Sequence, residues 1–142
     1  MTDTGPEGAS ENEDWEWLSR RLIETLHAET LSRFGGTVGL REERLLESAL
    51  AGPKHLARFE DPSVFELGAT YCEGLLQNHP FADGNKRTGL LAARVFLFKN
   101  GYRLKPEEAE TVAVIRRVAA GEISREEFAE WLEAKSEPTS EE

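Results

Sequence analysis

The stretch from Leu90 to Phe98 constrains the fold of this chain most. Leu90, Leu91, Ala92, Ala93, Val95, Phe96, Leu97 and Phe98 leave Arg94 as the one polar residue among them. The run predicts a helix that is apolar nearly all round, and such a helix belongs at the centre of a bundle. It begins near Asn85 and reaches Asn100, where Gly101 stops it. Arg94 calls for an acidic partner or a wet edge.

The remaining helices have to surround that one. Trp15, Leu18, Leu22, Leu26 and Phe34 lie near one stripe at steps of three or four, which predicts a first helix over 14–34 ended by Gly35-Gly36. Gly35 to Leu40 is a glycine-rich loop or short hairpin. A second helix is expected over 41–51, with Leu45, Leu46, Ala49 and Leu50 inward and Pro53 after its end. Residues 54–60 fit either a short helix or a loop. Asp61-Pro62 is a strong start signal, an N-cap followed by a proline suited to the first helical position. The helix it opens runs to Asn78, and a short loop from His79 to Gly84 joins it to the central helix. Pro106 opens a further helix ended by Gly121, and Ser124 with Glu127 forms a capping box for the last one, to about Lys135. No stretch alternates like a half-buried strand. The expected architecture is an all-α bundle of about six helices, the motif loop leading into a central buried helix.

With 142 residues the chain fits a single domain with its own hydrophobic core. The domain is expected over 14–135, between acidic, disordered tails at 1–13 and 136–142. The net charge of −10 is concentrated in those ends. Eight of the 27 acids lie at positions 1–14 and 136–142, where there is no Lys or Arg, leaving 19 acids against 17 bases in the body. A near-neutral body argues against direct nucleic-acid binding through phosphate contacts, while leaving room for a small local anion site. Cys72 is the one cysteine, so no disulfide forms within the chain. No apolar run approaches membrane-spanning length, and the acidic start is the opposite of a signal peptide's plan. These features lead us to expect a soluble, cytoplasmic protein.

The chemistry is concentrated in His79-Pro80-Phe81-Ala82-Asp83-Gly84-Asn85-Lys86-Arg87. A helix start offers free N–H groups and the positive end of the dipole, a ready site for phosphate. Lys86 and Arg87 add cations at the end where cations disfavour the helix, so a negative ligand offsets them. Asp83 is placed to hold Mg²⁺ beside phosphates. His79 is the group in the loop suited to accept a proton near neutral pH. Together they make a set for moving a phosphorus group to a hydroxyl. Taken alone, His79 would be as readily a packed loop histidine, and Asp83 or Asn85 a plain helix cap. His27 is expected to be structural, His55 solvated and Cys72 a buried, inert thiol.

The pattern His79-x-Phe81-x-Asp83-Gly84-Asn85-Lys86-Arg87 resembles the signature of the Fic/Doc family, and within it the Doc toxins of Phd–Doc toxin–antitoxin pairs. Leu26-His27, Ser32 to Gly36, Phe65-Glu66, Ala69 to Tyr71, Phe96-Leu97 before Asn100-Gly101, and Ala119 to Ser124 are similar as well, so the resemblance spans roughly residues 18–133. It implies the all-α Fic fold. It implies that His79 is the general base for a target hydroxyl, with Lys86 and Arg87 sharing the catalytic work. It implies that Asp83 holds Mg²⁺, that Gly84, Asn85, Lys86 and Arg87 contact ATP, and that Phe81 anchors the loop. Thr37, Val38, Gly39 and Leu40 correspond to a flap that docks the target backbone.

Two departures from the commoner Fic pattern bear on the reaction. AMP-transferring members have glycine where this chain has Lys86 and a second arginine where it has Leu90. Doc-like members carry this lysine, bind ATP in a reversed orientation and phosphorylate a threonine of elongation factor Tu. Gly84 is closer to the AMP-transferring form. The resemblance therefore implies a kinase toxin restrained by a Phd-like antitoxin, the more so because the Ser/Thr-x-x-x-Glu-Gly/Asn pattern of self-inhibited members is not found in this chain. The alternatives are an AMP-transferase with the same base and metal, or a non-catalytic binding module on the same fold.

Overall fold

The computed structural model describes residues 15–139, in six helices and two short strands. The helices are α1 (Arg20–Phe34), α2 (Glu43–Phe59), α3 (Val64–Asn78), α4 (Asn85–Lys99), α5 (Glu108–Ala119) and α6 (Arg125–Ala134). The strands are β1 (Tyr102–Leu104) and β2 (Ser136–Pro138). The all-α expectation holds, with a two-stranded ribbon added. The proposed tail at 1–13 lies outside the described residues.

Helices α3 and α4 form the central pair; α2 and α6 pack on α3, and α1 packs on α4. Small residues let the central pair approach closely. A Cβ on Gly89 would sit 3.2 Å from the Cys72 carbonyl oxygen and 3.3 Å from its Sγ. Gly68 lies against the Leu97 side chain in the same seam, and Gly74 against Ala49 of α2. Ala92, Ala93, Phe96 and Leu97 of α4 are fully buried. Burying a large apolar side chain of this kind stabilises a fold by about 1.5–3 kcal/mol. The Phe96 ring gathers Tyr71 at 5.2 Å, Trp17 at 6.0 Å and Trp15 at 6.3 Å. Tyr71 satisfies its hydroxyl by accepting from the Leu18 N–H at 3.0 Å. Burial pushes its phenol up to about 12. Not all of α4 is covered. Phe98 is 54% exposed, with the Arg103 guanidinium 5.7 Å from its ring centre. Arg94 finds the Leu104 carbonyl at 3.2 Å rather than an acid.

The first helix starts later than its stripe suggested. Ser19 caps it, accepting from the Leu22 N–H at 3.1 Å, and residues 15–18 form a non-helical leader across α4. Asn100, just past α4, holds that leader by both amide groups: Oδ1 accepts from Glu16 N at 2.9 Å and Nδ2 donates to Glu16 O at 3.2 Å. The buried face of α1 is Ile23, His27 and Thr30, with Leu22 and Leu26 beside it, while Phe34 is 55% exposed.

Helix α2 continues through Pro53 to Phe59. A proline inside a helix costs about 3 kcal/mol locally. Here Leu46, Ala49, Pro53 and Ala57 keep one buried stripe, and burial outweighs the break. The cap of α3 is Ser63 rather than Asp61, with Glu66 completing a capping box. The capping box at Ser124 and Glu127 is present as read. Pro106 precedes rather than opens α5, whose N-cap is Glu107.

The segment expected to be a loose C-terminal tail instead contributes β2. Tyr102, Arg103 and Leu104 pair antiparallel with Pro138, Glu137 and Ser136. Lys105 N–H on the Lys135 carbonyl at 2.8 Å and Thr139 N–H on the Gly101 carbonyl at 2.9 Å close its two ends. Three residues are too few to show a strand's alternation. No helix among the described residues is long and apolar enough to cross a membrane.

Glu110 joins α5 to α6. Its Oε2 accepts from Trp131 Nε1 at 3.0 Å and lies 3.1 Å from Lys135 Nζ. The Trp131 hydrogen bond, then that of Lys135, holds its carboxyl below the usual carboxylate value. A depressed folded value means stability present above the unfolded pKa and lost as pH falls through the folded one. Glu110→Gln is therefore expected to melt below the parent at neutral pH, the gap closing as pH drops through the carboxylate range. Thermal melts at several pH values check this, and a pH-independent gap would contradict it.

Candidate active site

Where α3 stops at Asn78, His79 takes the left-handed conformation, φ 50° and ψ 57°, and caps the helix. Among the described residues it is the one non-glycine with positive φ. Such a conformation persists only where neighbours enforce it. Arg41 does so from just before α2: its Nε donates to the His79 carbonyl at 2.8 Å and its Nη2 to the Asn78 carbonyl at 3.1 Å. The Arg41 N–H also reaches the Pro80 carbonyl at 2.6 Å.

The loop then folds back over Asn85. Asn85 is buried at the first position of α4, and its Oδ1 accepts from Phe81 N at 3.1 Å while Nδ2 donates to Phe81 O at 2.9 Å. Two backbone partners fix the amide's orientation, so the group facing His79 Nδ1, at 3.2 Å, is the NH₂. The imidazole must accept there, which leaves the proton of the neutral ring on Nε2. Phe81 is 3% exposed and anchors the loop as expected.

Asp83 is exposed at the turn. It does not cap α4, for Gly84 stands at the N-cap with φ 81° and no side chain caps the helix. Asp83 Oδ1 accepts from Gly84 N at 2.9 Å and Oδ2 from Thr37 N at 3.2 Å. A Cβ on Gly36 would stand 3.0 Å from Oδ2, so glycine leaves room for the carboxylate. One exposed carboxylate suits Mg²⁺, which keeps several waters and takes substrate phosphates for its other ligands. Among the described residues there is no cluster of three or more His, Cys, Asp or Glu that would cage a metal.

Lys86 and Arg87 are both exposed on the first turn of α4. Neither makes an ion pair among the described residues. The Arg87 guanidinium lies 3.9 Å above the Phe34 ring, which accounts for the exposure of that phenylalanine. The uncapped N–H groups and two cations make this helix start electropositive.

The flap residues come to the same place. Leu40 bridges Phe81, and Ala82 N–H donates to the Gly39 carbonyl at 2.9 Å. Thr37 and Val38 stand exposed beside Asp83, Val38 at 81%. The structure thus brings together His79, Asp83, Gly84, Asn85, Lys86, Arg87 and the 37–40 segment. Sequence reasoning missed Arg41, Gly36 and the Phe34 platform, and it gave His27 no link to the loop. The spacing of Ile23, His27 and Thr30 was the available signal for an inward histidine. A separate cavity of about 300 Å³ between α5 and α6, lined by Val114, Arg117, Glu122, Ile123, Glu127 and Trp131, contains none of these groups.

The chain is similar to known proteins. The model of the Fic/DOC family matches residues 17–97. The Protein kinase doc of Escherichia phage P1 is 34% identical over 118 residues, covering 81% of this chain and 91% of that protein. The Toxin Doc of Mycolicibacterium smegmatis (strain ATCC 700084 / mc(2)155) is 38% identical over 73 residues, covering 50% of this chain and 56% of that protein.

Asn85→Ala removes both partners of the buried Phe81 backbone. Leaving such a group unsatisfied costs about 1–3 kcal/mol. Urea unfolding is expected to show a loss of that order, and an unchanged midpoint would mean that water replaces the amide.

Proposed function

The chain belongs to the Fic/Doc family, and we propose that it is a Doc-like toxin kinase that moves the γ-phosphate of ATP to a threonine hydroxyl of elongation factor Tu. The observation that carries this reading is Lys86, exposed on the uncapped first turn of α4 where AMP-transferring members have glycine. A glycine would leave the turn open to the α- and β-phosphates of a nucleotide. A lysine fills that space and presents a charge to the phosphate nearest it. Leu90, in place of a second arginine, belongs to the same branch.

The chemistry follows from the groups in place. The target hydroxyl oxygen attacks the γ-phosphorus, the bond from that phosphorus to the β,γ-bridging oxygen breaks, and ADP leaves. His79 accepts the hydroxyl proton. Its Nδ1 is engaged by Asn85 in the resting arrangement. The ring therefore releases that contact, after which either the freed Nδ1 accepts the proton, or the ring proton moves from Nε2 to Nδ1 and Nε2 accepts. Lys86, Arg87 and the α4 N–H groups hold the phosphate oxygens. Asp83 is the residue that would hold Mg²⁺, which would supply positive charge to offset that of the phosphates. The 37–40 segment aligns the target chain beside the loop through backbone pairing. The reaction belongs in the cytoplasm, where ATP and the elongation factor are found, and a Phd-like antitoxin restrains it.

The test is incubation of the purified protein with Mg²⁺, elongation factor Tu and ATP labelled at either the γ- or the α-phosphate. Label is expected from the γ-position alone, reduced by about 10²–10⁴-fold in His79→Ala, the span general-base removal produces. Label from the α-position would make the chain an AMP-transferase, in line with Gly84, and overturn the role given to Lys86.

A further inference from the structure

We infer that His27 is a positioning residue that holds the Asp83–Gly84 turn in its working shape. The inference rests on the reading of residues 79–87 as a phosphate-transfer site. His27 is on α1, far from the motif in sequence, and is 6% exposed. Its Nε2 lies 2.8 Å from the Asp83 carbonyl oxygen, fifty-six positions along the chain. A carbonyl can only accept, so Nε2 carries the proton and the tautomer is fixed. The same ring lies flat on Phe81, centroids 3.8 Å apart and planes 9° from parallel. One side chain thus grips the turn at both ends, Phe81 by its face and Asp83 by its edge.

The ring also floors the tight point between them. A Cβ on Gly84 would stand 3.6 Å from His27 Cδ2 and 3.6 Å from Thr30 Cγ2. Gly84 is the N-cap of α4, so its placement sets where the free N–H groups of that helix point. The Asp83 carboxylate grows from the same peptide that His27 fixes. A histidine at this buried position needs a reason, because an apolar residue would fill the space without a polar group to satisfy. The Asp83 carbonyl supplies it. His27 meets the backbone carbonyl of Asp83 and not its carboxylate, and acts through the turn.

The decisive measurement is amide hydrogen exchange of the whole chain without nucleotide or target, so the result is independent of the assigned reaction. His27→Phe keeps an aromatic ring against Phe81 and removes the donor. Exchange at Phe81, Gly84 and Thr88, whose N–H groups donate to Asn85 Oδ1, Asp83 Oδ1 and the Gly84 carbonyl, is expected to rise about tenfold, the scale of one hydrogen bond to a backbone acceptor, while α3 and α6 stay protected as in the parent. His27→Gln returns an N–H at similar reach and should recover part of the protection. In the γ-label assay, kcat should fall in His27→Phe with KM for the target unchanged, and recover in His27→Gln. Parental exchange at Phe81, Gly84 and Thr88 in His27→Phe would overturn the inference. So would exchange rising evenly across α3 and α6 with a lower Tm, since that describes an ordinary core residue. Should His27→Phe not fold, His27→Leu, which also lacks the donor, takes its place, and parental exchange at Phe81, Gly84 and Thr88 in that variant overturns the inference equally. If the parent transfers no phosphate, the kinase reading fails while the exchange result still decides the role of His27.

Discussion

The close crossing of α3 and α4 governs the rest of this structure. Gly89 lies against the Cys72 backbone with room for a hydrogen and no more. Two helices this close, joined by a loop of six residues, must run antiparallel, and the loop between them has little freedom. Its first residue is a helix cap in a left-handed conformation and its last is a glycine in another. The loop from His79 to Gly84 is therefore anchored at the end of the core. Cys72, at the crossing, is fully buried, and burial pushes its thiol well above the usual cysteine range. It serves as a small filler where a nucleophile would be useless.

Charge is distributed by a similar division of labour. Acids pair with bases away from the motif. Arg20 contacts Glu43, Glu24 and Glu47, and the hydrogen bonds to Glu43 and then Glu24 hold its guanidinium above even the usual arginine value. That cluster ties α1 to α2 at the surface, where a single ion pair is worth little. At the motif the pattern reverses. Among the described residues Lys86 and Arg87 have no carboxylate partner at a helix end that already repels them, and Arg87 rests on an aromatic face. Two cations beside a cluster of free N–H groups give this helix start an electrostatic preference for anions.

Much of this was legible in the sequence because each readable feature was local. The apolar run at 90–98 identified the central helix, Ser124 with Glu127 marked the last one, and the nine-residue string identified the loop. Where long-range packing competed with a local signal, the reading failed. Pro53 looked like a terminator, yet the buried stripe of α2 ran past it. Asp61-Pro62 looked like a start, yet Ser63 with Glu66 made the better box. Trp15 fell near a helical stripe, but Ser19 caps the helix after it and Asn100 holds the leader from a distant part of the chain. The ribbon of β1 and β2 gave no signal, since its stability comes from the junction of two elements rather than from either strand. At the site, the residues that form the motif were visible, and those that support it were scattered among ordinary-looking positions.

That scatter bears on how such a site can be inherited or rebuilt. Gly39 and Arg41 hold the loop's backbone from one side, and His27 holds it from the other. Each comes from upstream of the motif. The nine-residue string is thus recognisable as text but is not a portable cassette. Set between two other helices, it would keep its chemistry on paper and lose its shape. The transferable unit is the chain from α1 through α4, and recombination that cut within it would separate the reactive groups from the scaffolding that aims them.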